Sequence, residues 1–151
     1  MIEACIESIL DSCRQAELRE YRIAVVADCC TDLTTRRARR ALGDAGELLV
    51  CEARSAGAAR RAGVEAILQF FSKRAPSQIW LANTDADTTV PPDWLALQLK
   101  LADAGAAGIA GRCLIASVVP PVRSCSRTMS RWRDNSARWR STSDNVTRNE
   151  I

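Results

Sequence analysis

The sequence contains no histidine among its 151 residues. This absence excludes a Ser-His-Asp triad, a Cys-His pair and the histidine ligands of an HExxH zinc site. No apolar run approaches the roughly 20 residues that a membrane-spanning helix needs. The N-terminus also lacks the basic and apolar segments of a signal peptide. We therefore expect a cytoplasmic protein with no transmembrane segment, and leave peripheral attachment to a membrane open.

The sequence also lacks a cysteine framework. Its seven cysteines are odd in number, and no two of them have the CxxC spacing of a zinc or redox motif. Cys5, Cys13, Cys51 and Cys113 fall in apolar stretches, where cysteine behaves as a small hydrophobic residue. We expect all seven to be structural. Without histidine, any chemistry must rest on carboxylates, cysteines, lysines, arginines or a bound metal.

Hydrophobic residues make up 47% of the chain and charged residues 26%, which is enough for one packed domain. Apolar periodicity and turn residues predict helices over about 2–14, 33–45, 56–73 and 91–105, and strands over 23–27, 48–51, 78–82 and 107–115. Helices and strands alternate, which favours an α/β fold with a mostly parallel sheet flanked by helices.

The C-terminal part has a different composition. Residues 117–151 hold seven arginines among many serines and threonines, without apolar periodicity. We interpret this segment as a disordered basic tail, and residues 1–116 as the folded domain. Its arginines, together with Trp132 and Trp139, could bind RNA through phosphate contacts and stacking. Arginine-rich disorder alone is weak evidence, so nucleic acid is not the expected partner.

Two predicted strands end in acidic residues. The first ends at Asp28 and continues towards Asp32, and the third leads into Asp85-Ala86-Asp87. In doubly wound sheets ligands bind at the carboxyl ends of the strands. Two carboxylates two residues apart suit a hard divalent cation that keeps water and phosphate oxygens as its other ligands. The alternative for such a pattern is an ordinary turn with capping aspartates.

Three stretches in order, AVVADCCTDLTT, ARSAGAARRAGVEAIL and WLANTDADTTVPPDWL, carry a family resemblance. They are similar to the donor-site segments of the family 2 glycosyltransferases, which have the GT-A fold. The resemblance covers about residues 3–115, and the combination is more specific than any one segment. It implies a nucleoside-diphosphate sugar as donor and a partial GT-A fold, related to the Rossmann fold.

The resemblance assigns the first acidic pair to the nucleotide. Asp28 would contact the base, and Asp32 would shape the loop beside it. The alternative is that both aspartates only cap the helix that follows them.

The second stretch supplies the residues that would approach the rest of the nucleotide. The resemblance implies this role for Arg54 and for Arg60 or Arg61, while Gly57 would let the backbone come close. The alternative for the Arg60-Arg61 pair is a solvent-facing position on an amphipathic helix.

The third stretch would hold the donor sugar and the metal. Asp85 would lie near the ribose and the sugar, and Asp87, with Asp85, would bind Mn²⁺ or Mg²⁺ at the diphosphate. A metal held by carboxylates neutralises the charge on a departing nucleoside diphosphate. Asp85-Ala86-Asp87-Thr88-Thr89-Val90 also fits the nucleophile loop of haloacid-dehalogenase-like phosphatases, but the lysine and the acidic pair that those enzymes use are not found downstream.

The match departs from the family pattern at both ends. Family members begin with a further strand, and their acceptor half and catalytic base follow the Asp-x-Asp at a distance. Asp134 and Asp144 lie in the tail, which is the wrong kind of segment for a catalytic base, so the catalytic residue and the acceptor are not identified. We expect a truncated, catalytically incomplete member, with a non-catalytic nucleotide-sugar-binding remnant as the alternative. A partner chain or a second copy would then cover the exposed sheet edge.

Overall fold

The computed structural model describes residues 1–111. Its first element is helix α1 (Ile2–Gln15), whose apolar residues recur at three- and four-residue steps. Cys5, Ile6 and Cys13 on this stripe are each at most 3% exposed. The helix lies where the periodicity predicts it.

The centre of the fold is a pair of parallel strands, β1 (Ile23–Asp28) and β2 (Gly46–Cys51). They pair in register from Ile23 with Gly46 to Asp28 with Cys51. A Cβ on Gly46 would lie 2.2 Å from the Ile23 carbonyl oxygen, so only glycine fits at the start of β2. Both strands agree with the sequence prediction.

Helix α2 (Thr34–Leu42) connects the two strands and is followed by a short 3-10 turn, Gly43–Ala45. The parallel pair and its crossover helix form a βαβ unit. The prediction of one helix over 33–45 was therefore right in place but too long, because Gly43 adopts a φ of +50° and ends the α-helix.

The main core lies on one face of the strands. Ile2, Ile6, Ala38 and Leu42 form a buried cluster between α1 and α2, and Ile23 and Val25 of β1 pack against it. The alternate residues of β1 point to the other face, where a Cβ on Gly63 would lie 3.1 Å from Val26. That face is covered by α3 (Ala56–Phe70), which begins after the N-cap residue Ser55.

Helix α4 (Trp94–Asp103) packs beside α1. The predicted start at Pro91 was too early. The Pro91 carbonyl accepts the Trp94 N–H at 3.0 Å and so closes a turn that comes before the helix. The fold is thus α/β with a parallel sheet flanked by helices, as the sequence predicts, but within the described residues the sheet has two strands and not the predicted four.

The strand predicted over 78–82 is wrong. These residues have no ladder partner in the described part of the chain, and residues 76–78 form a 3-10 turn. An extended segment becomes a strand only when a neighbour pairs with its backbone, and a groove separates residues 79–82 from β1. The predicted strand over 107–115 is also not formed over its first five residues, and its remainder lies outside the described residues. The predicted tail over 117–151 and the predicted domain boundary at 116 also lie outside the described residues.

None of the helices within residues 1–111 has the length and apolar character needed to cross a bilayer.

Candidate functional site

The carboxylate of Asp28 joins the end of β1 to the loop after β2. Its Oδ1 accepts the backbone N–H of Arg54 and its Oδ2 accepts that of Ser55, both at 2.9 Å. These two donors, Arg54 first, hold the pKa of the Asp28 carboxyl below its ordinary value of 3.8. Asp28 therefore stays ionised at the N-terminus of α3, where the helix dipole favours a negative charge.

The backbone around this contact is constrained. Cys29 has a φ of +54° and Arg54 a φ of +49°, both in the left-handed region that residues with a side chain rarely adopt. Cys29 donates its N–H to the Cys51 carbonyl at 2.9 Å, which extends the strand pairing by one bond. Strained conformations of this kind persist when their surroundings fix them, and they often occur at functional sites.

Asp32 has a local role at the start of α2. Its Oδ1 accepts the backbone N–H of Thr34 at 2.9 Å. Hydrogen bonds from the Thr34 side chain, and then from its backbone, lower the pKa of the Asp32 carboxyl. Asp32 thus binds the first backbone N–H of α2 from the position before the N-cap residue, Leu33, which makes no side-chain capping bond.

Arg60 and Asp85 form an ion pair between the first half of α3 and the loop that follows residues 79–82. The Arg60 Nη2 lies 2.5 Å from the Asp85 Oδ1, and the side chains are 59% and 60% exposed. Arg61 instead pairs along the helix with Glu65 at 3.1 Å and faces solvent. Of the two neighbouring arginines, Arg60 is the one directed at the predicted site.

The Asp-x-Asp loop lies against the N-terminal half of α1. The Cys5 thiol is 3.5 Å from the Asp85 carbonyl oxygen. Burial, and after it the negative charge of Asp87, raises the pKa of Cys5. Both observations place Asp85 and Asp87 near the buried Cys5.

Two serines of α1 hold the chain that follows this loop, and the sequence analysis missed them. The Ser8 Oγ accepts the Val90 N–H and the buried Ser12 Oγ accepts the Leu95 N–H, each at 3.0 Å. The Leu95 N–H lies in the first turn of α4, where the helix has no internal acceptor. The signal was present in the sequence: Ser8 and Ser12 are four residues apart, beside the apolar stripe of α1.

The residues present fit a hard cation only as a partial ligand set. Within residues 1–111 no three cysteine or acidic side chains gather closely enough to hold a metal by themselves. Asp85 and Asp87 are exposed carboxylates, and Mg²⁺ is typically bound by one or two carboxylates together with water and substrate phosphates. The Asp85 Oδ1 already accepts a bond from Arg60.

The groove beside β1 has a cavity volume of about 720 Å³. Among the predicted site residues, Arg60 and Asp85 line it. The remaining ones lie elsewhere on the surface near the strand ends: Asp28, Asp32, Arg54, Gly57 and Asp87. A Cβ on Gly57 would make only an ordinary van der Waals contact with the Ser55 Oγ at 3.9 Å, so no protein group requires glycine there.

The family model described as Glycosyl transferase family 2 matches residues 1–148 of the chain. Searches of curated proteins and of solved structures returned no significant match.

Proposed function

The chain belongs to glycosyltransferase family 2, and from this premise we propose that it binds a nucleoside-diphosphate sugar where β1, β2 and residues 79–82 end. The reaction proposed is metal-dependent transfer of the sugar to an acceptor. The Arg60–Asp85 ion pair carries the proposal, because it sets a cation and a carboxylate at the mouth of the groove where a diphosphate and a sugar would lie.

The nucleotide is proposed to lie across the loops that Asp28 joins. Asp28 uses both carboxylate oxygens to hold the Arg54-Ser55 backbone, and each oxygen has a further lone pair for a base N–H. Arg54, whose side chain is exposed, faces the phosphates in this proposal, and Asp32 fixes the loop beside the base. Gly57, which is exposed and has no side chain, leaves room for the ribose or the phosphates.

The diphosphate is proposed to displace Asp85 from Arg60. Arg60 then pairs with phosphate oxygens, to which a guanidinium can donate two parallel hydrogen bonds. The freed Asp85 carboxylate turns to the sugar and, with Asp87, to Mn²⁺ or Mg²⁺. The metal, when bound, would neutralise charge on the departing nucleoside diphosphate.

Calorimetric titration tests the proposal directly. UDP-glucose, UDP-N-acetylglucosamine and GDP-mannose are titrated into the protein with and without Mn²⁺. We expect binding that Mn²⁺ strengthens and that Asp87→Asn weakens by about tenfold or more, which corresponds to roughly 1.4 kcal/mol. Asp93→Asn is the matched control, because this exposed carboxylate makes no capping bond and lies outside the site.

Cooperative thermal unfolding, followed by circular dichroism, establishes that each titrated sample is folded. A folded protein that binds none of the three donors contradicts the proposal. Equal binding by wild type and Asp87→Asn contradicts the metal assignment while leaving the nucleotide site in place.

Turnover is a separate measurement from binding. Release of the nucleoside diphosphate from a bound donor, followed by chromatography over hours, distinguishes an active transferase domain from a non-catalytic nucleotide-sugar-binding domain. Donor binding without any release would support the second.

A further inference from the structure

Residues 85–90 form a loop that begins with a β-turn. The Thr88 N–H donates to the Asp85 carbonyl at 3.0 Å, and this bond closes the turn. Asp85 is the first residue of the turn, and Asp87 is its third. The positions of the two carboxylates therefore depend on the backbone of a single turn. An element that fixes the turn also fixes both carboxylates relative to the rest of the fold.

Helix α1 holds this loop at both of its ends. At the first end the Cys5 thiol donates to the Asp85 carbonyl at 3.5 Å. At the second end the Ser8 Oγ accepts the Val90 N–H at 3.0 Å. Cys5 and Ser8 are three residues apart in one helix, so their side chains lie on the same face of it. The loop is thus attached at two points to one rigid element.

The Ser8 hydroxyl is oriented for this contact by its own helix. It donates its hydrogen to the Cys5 carbonyl at 2.8 Å, a bond that serine can make within a helix. A hydroxyl has one hydrogen to donate and two lone pairs with which it accepts. Because the hydrogen is used inside α1, the oxygen faces Val90 as an acceptor. The hydroxyl therefore links the backbone of the helix to the backbone of the loop.

A third contact reaches the turn from α3. Arg60 pairs with the Asp85 carboxylate at 2.5 Å, and both side chains are more than half exposed. In the proposed function the donor diphosphate takes Arg60 away from Asp85, so the contact from α3 is lost when the donor binds. The two contacts from α1 bind backbone atoms of the loop and do not compete with the donor. They therefore contribute more to the position of the turn with the donor bound than without it.

We propose that Ser8 is a positioning residue of the donor site, which holds the turn on α1 so that Asp85 and Asp87 present their carboxylates together to the divalent cation. This inference rests on the proposed function, and it adds a residue that acts through the backbone of Val90 and not by contact with the donor. Removing a group that orients metal-binding carboxylates typically weakens metal binding by about 10–100-fold.

Ser12 provides the matched control. It lies one turn further along α1, and its Oγ accepts the Leu95 N–H at 3.0 Å. Leu95 belongs to α4, so Ser12→Ala removes an equivalent bond without releasing residues 85–90. Ser12 is fully buried and Ser8 is half-buried, so Ser12→Ala should lower the free energy of unfolding more than Ser8→Ala does. If Ser8 had only a structural role, Ser12→Ala would also have the larger effect on metal binding.

Hydrogen exchange of single amides, measured by NMR without any ligand, tests the attachment of the loop. Ser8→Ala should speed the exchange of the Thr88 and Val90 amides by about tenfold, because the loop loses one of its bonds to α1. Ser8→Thr keeps the hydroxyl and should restore slow exchange. Ser12→Ala should speed the exchange of the Leu95 amide and leave that of Thr88 unchanged. Wild-type exchange of Thr88 and Val90 in Ser8→Ala overturns the inference, whatever the binding experiments give.

Mn²⁺ binding tests the consequence for the site. Free Mn²⁺ is measured by electron paramagnetic resonance in the presence of UDP-glucose, UDP-N-acetylglucosamine or GDP-mannose. We expect Ser8→Ala to weaken Mn²⁺ binding by about tenfold, Ser8→Thr to restore it, and Ser12→Ala to leave it unchanged.

The outcomes separate the inference from the proposed function. If wild type binds Mn²⁺ and Ser8→Ala binds it equally well, the positioning role is wrong and the proposed function stands. If the folded wild-type protein binds no Mn²⁺ with any of the three donors, the proposed function is contradicted, and the positioning role is contradicted with it.

Discussion

The two edges of β1 differ in what completes them. On one edge β2 pairs with all six residues of β1, and α1 and α2 cover one face of the strands with the cluster that contains Ile6, Ala38 and Leu42. On the other edge no strand within residues 1–111 pairs with β1, and a cavity of about 720 Å³ is lined by β1 and by residues 78–82. The comparison teaches that an apolar run becomes a strand only where the fold brings it a partner.

The difference also separates two kinds of stability. The β2 side combines backbone pairing with buried apolar contacts, whereas the groove side is held mainly by point contacts from α1 and α3 to the chain around Asp85. We expect substitutions on the β2 side to lower the free energy of unfolding. Substitutions on the groove side should mainly change the affinity for the nucleotide sugar.

Leucine truncation on the two sides should give the largest difference. Leu42→Ala removes a side chain that is 3% exposed in the cluster of α1 and α2, and it should lower the free energy of unfolding by about 2–5 kcal/mol. Leu99→Ala, whose side chain is half-buried at the groove, should have less than half that effect, because one side of Leu99 already borders empty space. Urea unfolding at 25 °C measures both, and equal losses would contradict the contrast between the two edges.

Ser12 tests the point contacts on the groove side. Ser12→Ala leaves the Leu95 N–H buried without its acceptor, and it should destabilise the protein by about 1–3 kcal/mol. Ser8→Ala removes the analogous bond to Val90 at a part-buried position, where water can replace the hydroxyl, so its effect should be smaller. Urea unfolding of both variants checks this order. A larger effect for Ser8 would mean that the Val90 bond, and not the first turn of α4, fixes the loop.

The β2 side was predictable because its signals are local. The stripe of α1, the β-branched run of β1 and the glycines before β2 each specify an element without reference to distant residues. Residues 78–82 carry an equally apolar signal, Ile79-Trp80-Leu81, yet form no strand, since strand formation depends on a partner that lies elsewhere. Asp28 and Asp85 were singled out by their position after predicted strands, and the other site residues by the family resemblance; Asp28 does end β1, whereas no strand leads into Asp85 within the described residues. A residue's position in the sequence could not predict that Asp28 accepts the Arg54 and Ser55 N–H groups, or that Ser12 accepts the Leu95 N–H of α4. Each of these bonds joins residues that are far apart in the chain.

Acid should weaken the Asp28 contact. Its pKa and that of Asp32 are lowered in the folded state, so both carboxylates stabilise the protein above about pH 4, the unfolded value. This contribution is lost as pH falls through the folded-state pKa values, because the unfolded chain then binds more protons. Asp28→Asn should therefore reduce the fall in unfolding free energy between pH 5 and pH 2, and adding Asp32→Asn should reduce it further. Urea unfolding across this range measures the slopes, and a variant whose curve runs parallel to that of wild type would contradict the assignment.

The Arg60–Asp85 pair should contribute least to stability and most to binding. Both side chains are more than half exposed, so solvent screening limits the pair to about 0–1 kcal/mol, and Arg60→Ala should unfold in urea almost like wild type. Arg61→Ala is the matched control, because it removes a neighbouring exposed pair with Glu65 on the same helix. If Arg60 serves the donor, its variant should bind the nucleotide sugar about tenfold or more weakly by calorimetry, with or without Mn²⁺, while Arg61→Ala binds normally. If Arg60→Ala instead lowered the free energy of unfolding by several kcal/mol, the pair would be a structural contact between α3 and the loop of Asp85. The groove side would then contribute to stability as much as the β2 side does.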